Sequence, residues 1–430
     1  MRQSQDGAPP EPLSAQVLAF VVVGLWTAIN AVGLWNNWAE DLAAVYMAGW
    51  LWDHGQAGLI YAAPEHFFGG QAESWTPILN AIGGPSATAF PYVYPPLWAV
   101  VVAPLTRILS ATAFFNAMLV LQTALLGYGL VVSHRLVRPP LAVWKWVVVG
   151  CALFQITVPF VTAMKQCQPS ILVAILTLLA VERSVNGAPR RAGAYLALAA
   201  AIKLTPVLFV LIFLQRRDWT ALRWFAGVGL ALAGASLALA GVPSHLEFLQ
   251  SLRLAGTSTL VSFVNLSARS LVDYALALLG NEPTRYAERF YIFTLPHAAH
   301  LQSSAVNAVA FAAISAWIVR KGQRLEPTTA AVASTFVLSV ALPLFGPLGW
   351  QHYYLLPLML LPCLFAIASP RQLAFIALPV LLAENIATFD FMLDAGLPPT
   401  LYVSVAVCCW LIAVFLVGMR IGPANSTARF

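Results

Sequence analysis

Charge is scarce in this chain: 9% of its 430 residues are Asp, Glu, Lys or Arg, while 60% are hydrophobic. So low a charge content excludes both an ordinary solvated surface and a disordered polyelectrolyte. Cysteine is sparse too. Cys151, Cys167, Cys363, Cys408 and Cys409 are scattered in or beside apolar runs and read as small packing residues rather than disulfide partners or ligands. Strand-like alternation is missing, and Ala, Leu and Val dominate the long runs, which excludes a β-barrel. No Asp, Glu and His cluster has metal-ligand spacing, so no metal or other cofactor is expected. His297 and His300 stand three apart with no carboxylate close in sequence and are read as loop residues. The net charge of +6 would suggest nucleic acid in a soluble protein. In a membrane protein, basic loops facing the cytoplasm give the same excess, so no nucleic-acid partner is expected.

Apolar runs of about 16 to 23 residues recur from Leu13 to Met419, long enough at about 1.5 Å per residue to cross a hydrocarbon core of about 30 Å. The pattern predicts an all-α polytopic membrane protein. Its helices are expected near 13–35, 94–109, 111–134, 142–164, 168–182, 192–214, 222–241, 302–319, 328–343, 352–368, 371–388 and 399–419, about twelve in all. The first is too long for a signal peptide, lacks a small-residue cleavage site and ends on Trp35 and Trp38, so it reads as a retained helix. Basic clusters fall at Arg183 with Arg190 and Arg191, at Arg216 and Arg217 with Arg223, at Arg320 and Lys321 with Arg324, at Arg371 and at Arg420. Those loops are assigned to the cytoplasm.

Two long segments, 36–93 and 242–300, are left for the opposite side of what reads as one domain over 1–430. The first is rich in Gly, Pro and aromatics, and loops of that length are usually functional. Two details resist the simple topology. Arg135, Arg138 and Lys145 would lie outside if both 94–109 and 111–134 crossed fully, so either one of the two is a partial pass or the rule is broken there. The stretch 192–214 has basic loops at both ends and Lys203-Leu204-Thr205-Pro206 in its middle, as a broken helix returning to the same side would.

A lysine inside an apolar run costs roughly 2.5 to 3.5 kcal/mol to insert, so Lys203 needs an anionic partner. Three readings stay open: a structural pair with a carboxylate such as Glu384, snorkelling, or a lipid phosphate bound at the break. The polar knot Lys165-Gln166-Cys167-Gln168-Pro169-Ser170 is expected to line the same cavity. The other carboxylates of interest, Glu40 and Asp41, follow the first helix and open a run, Leu42 to Trp52, that reads as a short helix at the interface. Asp41 is either a helix N-terminal charge or a catalytic base; Glu40 points about 100° away on such a helix and is the less favoured acid.

The chain resembles the polyprenol-phosphate-mannose-dependent mannosyltransferases of glycosyltransferase family 87, which have the GT-C fold. The resemblance rests on Asp41-Leu42 with Tyr46, Gly49 and Tyr61, on Phe90-Pro91-Tyr92-Val93-Tyr94-Pro95-Pro96-Leu97, and on Gln168-Pro169-Ser170. It continues through Ala200-Ala201-Ile202-Lys203-Leu204-Thr205-Pro206, Asn265-Leu266-Ser267 and Gly346-Pro347-Leu348-Gly349-Trp350-Gln351-His352-Tyr353-Tyr354. The chain departs from the family in having Cys167 before Gln168 where Gly is usual, Ser170 where Asn is usual, and Gly346 and Gly349 where Ser is usual. These departures bear on sugar and acceptor identity more than on reaction type.

The resemblance implies sugar transfer from a polyprenyl-phosphate sugar donor, most often mannose, to a glycolipid or polysaccharide acceptor at the extracytoplasmic face of the cell membrane. Asp41 matches the family's base. Transfer from a lipid monophosphate needs a base, cations for the departing phosphate and an aromatic wall. Lys203 and Arg269 are candidates for the cations, Tyr92, Tyr94 and Trp350 for the wall, and Gln168 and Asn265 for further substrate contacts. His352 is either a capping or core histidine or, by the family match, an active-site group orienting acceptor or phosphate. No metal is required, because a monophosphate carries less charge than a pyrophosphate. A transporter or flippase of a lipid-linked precursor is the alternative, although one interrupted helix without an evident repeat does not favour it. A non-catalytic envelope partner is the third reading.

Overall fold

A computed structural model describes residues 12–64, 67–280, 282 and 290–419, with the backbone of Arg285–Ala287 and Arg420. The architecture is helical. Among the described residues, six helices are long and apolar enough to cross a membrane: Leu13–Leu34, Ala111–Val137, Trp219–Thr257, His297–Gly322, Pro327–Phe345 and Pro399–Met419. Val158–Lys165 and Ser170–Val185 form a bent pair, and five shorter apolar helical stretches, including Pro96–Thr106 and Val143–Gln155, fill the remaining predicted segments. Each of the twelve predicted segments thus has a helical counterpart, but several are broken.

The breaks satisfy one another. The predicted helix 142–164 is interrupted at Thr157, which is extended and pairs in a β-bridge with Asn385, where the predicted helix 371–388 is interrupted as well. Val158 N donates to Glu384 O at 2.8 Å and Ile386 N to Ile156 O at 3.1 Å, so neither break leaves its backbone unpaired in an apolar surrounding.

Pro96–Thr106 has 11 residues, about 16 Å of helix, and packs against Glu40–Asp53 rather than crossing. Asn36 and Asn116 exchange two hydrogen bonds at 2.9 and 2.8 Å, fixing the start of Ala111–Val137 at the same end as Glu40. That helix then runs to the opposite end. There Arg138 reaches Asn186 at 3.3 Å, and Arg135 lies 3.9 Å from Glu182 in the group of Arg183. Arg135, Arg138 and Arg183 thus share one end of the helices.

The predicted break at Lys203 is present. Pro189–Ile202 stops at an extended Lys203, and a 3-10 turn, Thr205–Phe209, leads into Val210–Gln215. Lys203 Nζ bonds Ser170 at 2.6 Å, and Arg216 Nε bonds Ser184 at 3.2 Å. The chain therefore reaches one end of Ser170–Val185 and comes back to the other. Trp98 Nε1 donates to Ala201 O at 2.7 Å, serving a carbonyl near the helix end.

Segment 242–300 holds more order than its sequence suggests. Gly241, at φ 74°, ends the first part of Trp219–Thr257 in a conformation that disfavours any side chain. The strands Ser258–Val261, Arg285–Ala287 and Phe290–Thr294 then form a small antiparallel sheet with Phe290–Thr294 in the middle. His297 and His300, read as loop residues, instead begin the helix His297–Gly322.

Candidate active site

The polar knot is a sharp corner. Val158–Lys165 and Ser170–Val185 meet at 120°, and Cys167 turns the chain with φ 44°, a left-handed conformation costly for a side-chain-bearing residue. The corner turns two glutamines toward the first turn of Glu40–Asp53. Gln166 Oε1 accepts from the Asp41 backbone N–H at 3.2 Å, its Nε2 donates to Glu40 at 3.3 Å, and Gln168 Nε2 donates to Asp41 Oδ2. Glu40 also accepts from Thr88 at 2.6 Å, so the two adjacent acids have different surroundings. Burial pushes the Asp41 carboxyl up to about 6, against the lowering effects of the Gln168 hydrogen bond and the Lys203 charge.

Lys203 enters from the other broken helix. Its ammonium donates to Ser170 at 2.6 Å and Tyr353 at 3.4 Å and lies 5.4 Å and 4.6 Å from the ring centres of Tyr94 and Tyr353. Two adjoining cavities result. One, of about 350 Å³, is bordered by Asp41 and Gln166 beneath an aromatic wall of Phe67, Phe68, Phe90 and Trp350. The other, of about 210 Å³, is bordered by Lys203, Ser170 and Tyr353. Leu348 and His352 border both. His352 is buried, and its Nε2 has no hydrogen-bond partner, which is costly unless a ligand supplies one.

A half-buried carboxylate with a raised proton affinity, a half-buried ammonium and an aromatic-walled cavity suit transfer of a group from an anionic leaving group to a hydroxyl. The family model for Glycosyltransferase family 87 matches residues 92–345, more than half of the chain. The chain belongs to glycosyltransferase family 87. It is similar to the polyprenol-phosphate-mannose-dependent alpha-(1-2)-phosphatidylinositol mannoside mannosyltransferase of Mycolicibacterium smegmatis, with 28% identity over 395 residues, 85% of this chain and 79% of the relative. This chain is a multi-pass membrane glycosyltransferase.

The glycosyltransferase gathers five of the predicted site residues: Asp41, Gln168, Lys203, Trp350 and His352. They border two cavities or the corner between them, where one cavity was expected. Tyr94 backs that corner, its hydroxyl 3.5 Å from Gln168 Oε1. Tyr92, fully buried, packs between Tyr61 and Tyr94 and donates to Pro95 O at 3.2 Å, so it supports the wall instead of forming it.

Asn265 borders neither cavity. Its Nδ2 donates to Leu260 O at 2.6 Å and its Oδ1 accepts from Gly349 N at 2.7 Å, stapling 258–266 to the strap that carries Trp350 and His352. Gly349 is required there, since a Cβ would lie 2.7 Å from Pro343 O. Arg269 stands apart as well. It lies 3.7 Å from Asp273 and 3.2 Å from His300 Nδ1, while Asp273 accepts from Thr259 and Ser303. The Glu384 carboxylate accepts from Trp410 Nε1 at 2.7 Å, which assigns it a partner other than Lys203. Phe68, Phe90 and Tyr353 were not singled out from sequence; Phe90 and Tyr353 lie in quoted motifs and Phe68 in the aromatic-rich segment 36–93, but nothing local marks which aromatic faces inward.

Proposed function

We propose that the chain is a polyprenol-phosphate-mannose-dependent mannosyltransferase that adds mannose to a hydroxyl of a phosphatidylinositol mannoside or related glycolipid. Asp41 is its base. In the reaction the acceptor oxygen bonds to the mannosyl anomeric carbon as the bond from that carbon to the phosphate oxygen breaks. The hydroxyl proton passes to Asp41, and the electron pair leaves with polyprenyl phosphate, whose phosphate gains one negative charge. Lys203 and His352 border the space where that charge develops, and Trp350, Phe68 and Phe90 give the sugars an apolar face. With a value of about 6, Asp41 is ionised at neutral pH yet basic enough to take a proton in the transition state.

The observation that carries this reading is the shared border of the Asp41 and Lys203 cavities at His352, whose free Nε2 is aimed at neither protein donor nor acceptor. The same family and relative support the mannosyl donor. The Asp41 end is the extracytoplasmic one, because Arg138, Arg183 and Arg216 gather at the other end, and basic loops stay in the cytoplasm. The test incubates purified protein with polyprenyl phosphate mannose and phosphatidylinositol mannosides. Mass spectrometry should find an acceptor heavier by one hexose; polyprenyl-phosphate arabinofuranose or glucose working in place of mannose would overturn the donor assignment.

A further inference from the structure

The Lys203 ammonium and the Asp41 carboxylate are joined by a directed chain of hydrogen bonds. Lys203 Nζ donates to Ser170 Oγ at 2.6 Å, Ser170 Oγ donates to Gln168 Oε1 at 3.4 Å, and Gln168 Nε2 donates to Asp41 Oδ2. Only one orientation works. An ammonium has donors alone, so Ser170 must accept from it and turn its own proton onward. An ionised carboxylate only accepts, so Gln168 must face it with the amide NH₂ and leave Oε1 for Ser170 and for Tyr94, 3.5 Å away. Gln168 and Ser170 are both buried, and water does not substitute freely for either bond.

We propose that Ser170 is a positioning residue: it fixes the Gln168 amide so that its NH₂ supports the ionised form of Asp41, and thereby ties the base to the cation at the phosphate site. This rests on the reading of Asp41 as base. Without the Ser170 hydroxyl, the amide loses the nearer of its two hydroxyl donors and the link to Lys203, and a turned amide would present a carbonyl to the carboxylate. The other charged or titratable groups acting on Asp41 are Glu40 beside it on its own helix, Lys203, Tyr94, Tyr353 and, across the cavity, His352. Changing Ser170 removes none of these groups; Lys203 loses one hydroxyl acceptor and keeps its contact with Tyr353. The Ser170 hydroxyl caps no helix, so removing it leaves the corner's backbone bonds in place.

The test is the pH profile of kcat for wild type, Ser170→Ala and Ser170→Thr, with donor and acceptor KM and the melting temperature measured on the same samples. In Ser170→Ala the acid limb should move up by about one pH unit, the worth of one hydrogen bond to a charged group, with the melting temperature held. Ser170→Thr keeps the hydroxyl and should restore the wild-type limb. A Ser170→Ala limb that stays in place, whether the rate falls or not, overturns the proposal, as does a Thr variant whose limb moves like that of Ala. If Asp41→Asn keeps wild-type turnover, the assignment of the base fails instead; an acid limb abolished by Asp41→Asn but unmoved by Ser170→Ala sinks the positioning role alone.

Discussion

Two clusters of buried and half-buried side chains in this protein contain the same residue types, a carboxylate, a cation and a histidine, yet they differ in what they face. Asp273, Arg269 and His300 face one another: Asp273 takes hydroxyl bonds from Thr259 and Ser303, with Arg269 at 3.7 Å and His300 3.2 Å beyond it. Asp41, Lys203 and His352 face cavities. Lys203 meets hydroxyls and ring faces, and His352 Nε2 meets nothing in the protein. Taking charge out of water is costly in both places; mutual pairing offsets it in the first, while in the second His352 Nε2 is left without a protein partner beside two cavities. The first group fastens the strand Ser258–Val261, whose Leu260 borders the Asp41 cavity, to two helices. It is architecture beside the candidate site.

The largest effect that would test this contrast is at Asp41. Asp41→Asn should lower kcat by about 10² to 10⁴ with donor binding kept. Wild-type kcat should rise with pH through about 6, as the carboxylate ionises. The stability effect has the opposite sense. A carboxyl whose folded value is raised stabilises the fold below its ordinary value near 4 and loses that contribution as pH rises through 6, so Asp41→Asn should raise the melting temperature at neutral pH. A lower melting temperature in that variant would contradict the burial argument.

Next comes Lys203. Lys203→Gln should cost about 10² to 10³ in kcat, comparable to removing one donor to a developing negative charge, and Lys203→Arg should keep part of the rate. Because Glu384 accepts from Trp410, adding Glu384→Gln to Lys203→Gln should restore nothing. Recovery in the double variant would make Lys203 a structural partner.

In the supporting group the expected loss moves from rate to stability. Arg269→Met leaves Asp273 without its cation and should destabilise by about 3 to 5 kcal/mol in chemical unfolding, with the donor KM of the folded fraction unchanged. A selective rise in donor KM would bring Arg269 back as a phosphate ligand. The smallest effect is at the strained corner: Cys167→Gly should be more stable than Cys167→Ala by about 1 kcal/mol, because both lose the thiol and only Ala keeps a Cβ at positive φ.

Much of this was legible in the sequence where a local cost had to be met. A lysine and a proline together in an apolar run announced the break at Lys203, and the polar run from Lys165 to Ser170 announced the corner. The acid after the first helix did fall in a helical first turn. That Arg269 and Asn265 lie away from both cavities was not legible for one reason: each is polar in a segment expected to be functional, and the partners that occupy them, Asp273, Leu260 and Gly349, are joined to them by folding rather than by any sequence pattern. The paired interruptions at Thr157 and Asn385 were hidden likewise, since the few polar residues beside them, Gln155 and Glu384, do not by themselves mark a break and only the mutual β-bridge permits it. The small sheet was missed because its strands are three to five residues long, too short for periodicity to register.

The most direct test of the contrast is a structure of the Asp41→Asn protein with polyprenyl phosphate mannose bound, since that variant should retain donor without turning it over. The phosphate should lie against Lys203 and His352, with the mannosyl anomeric carbon turned toward position 41 and the Arg269–Asp273 pair intact. A phosphate seated on Arg269, or among the arginines at the opposite end of the helices, would contradict the account.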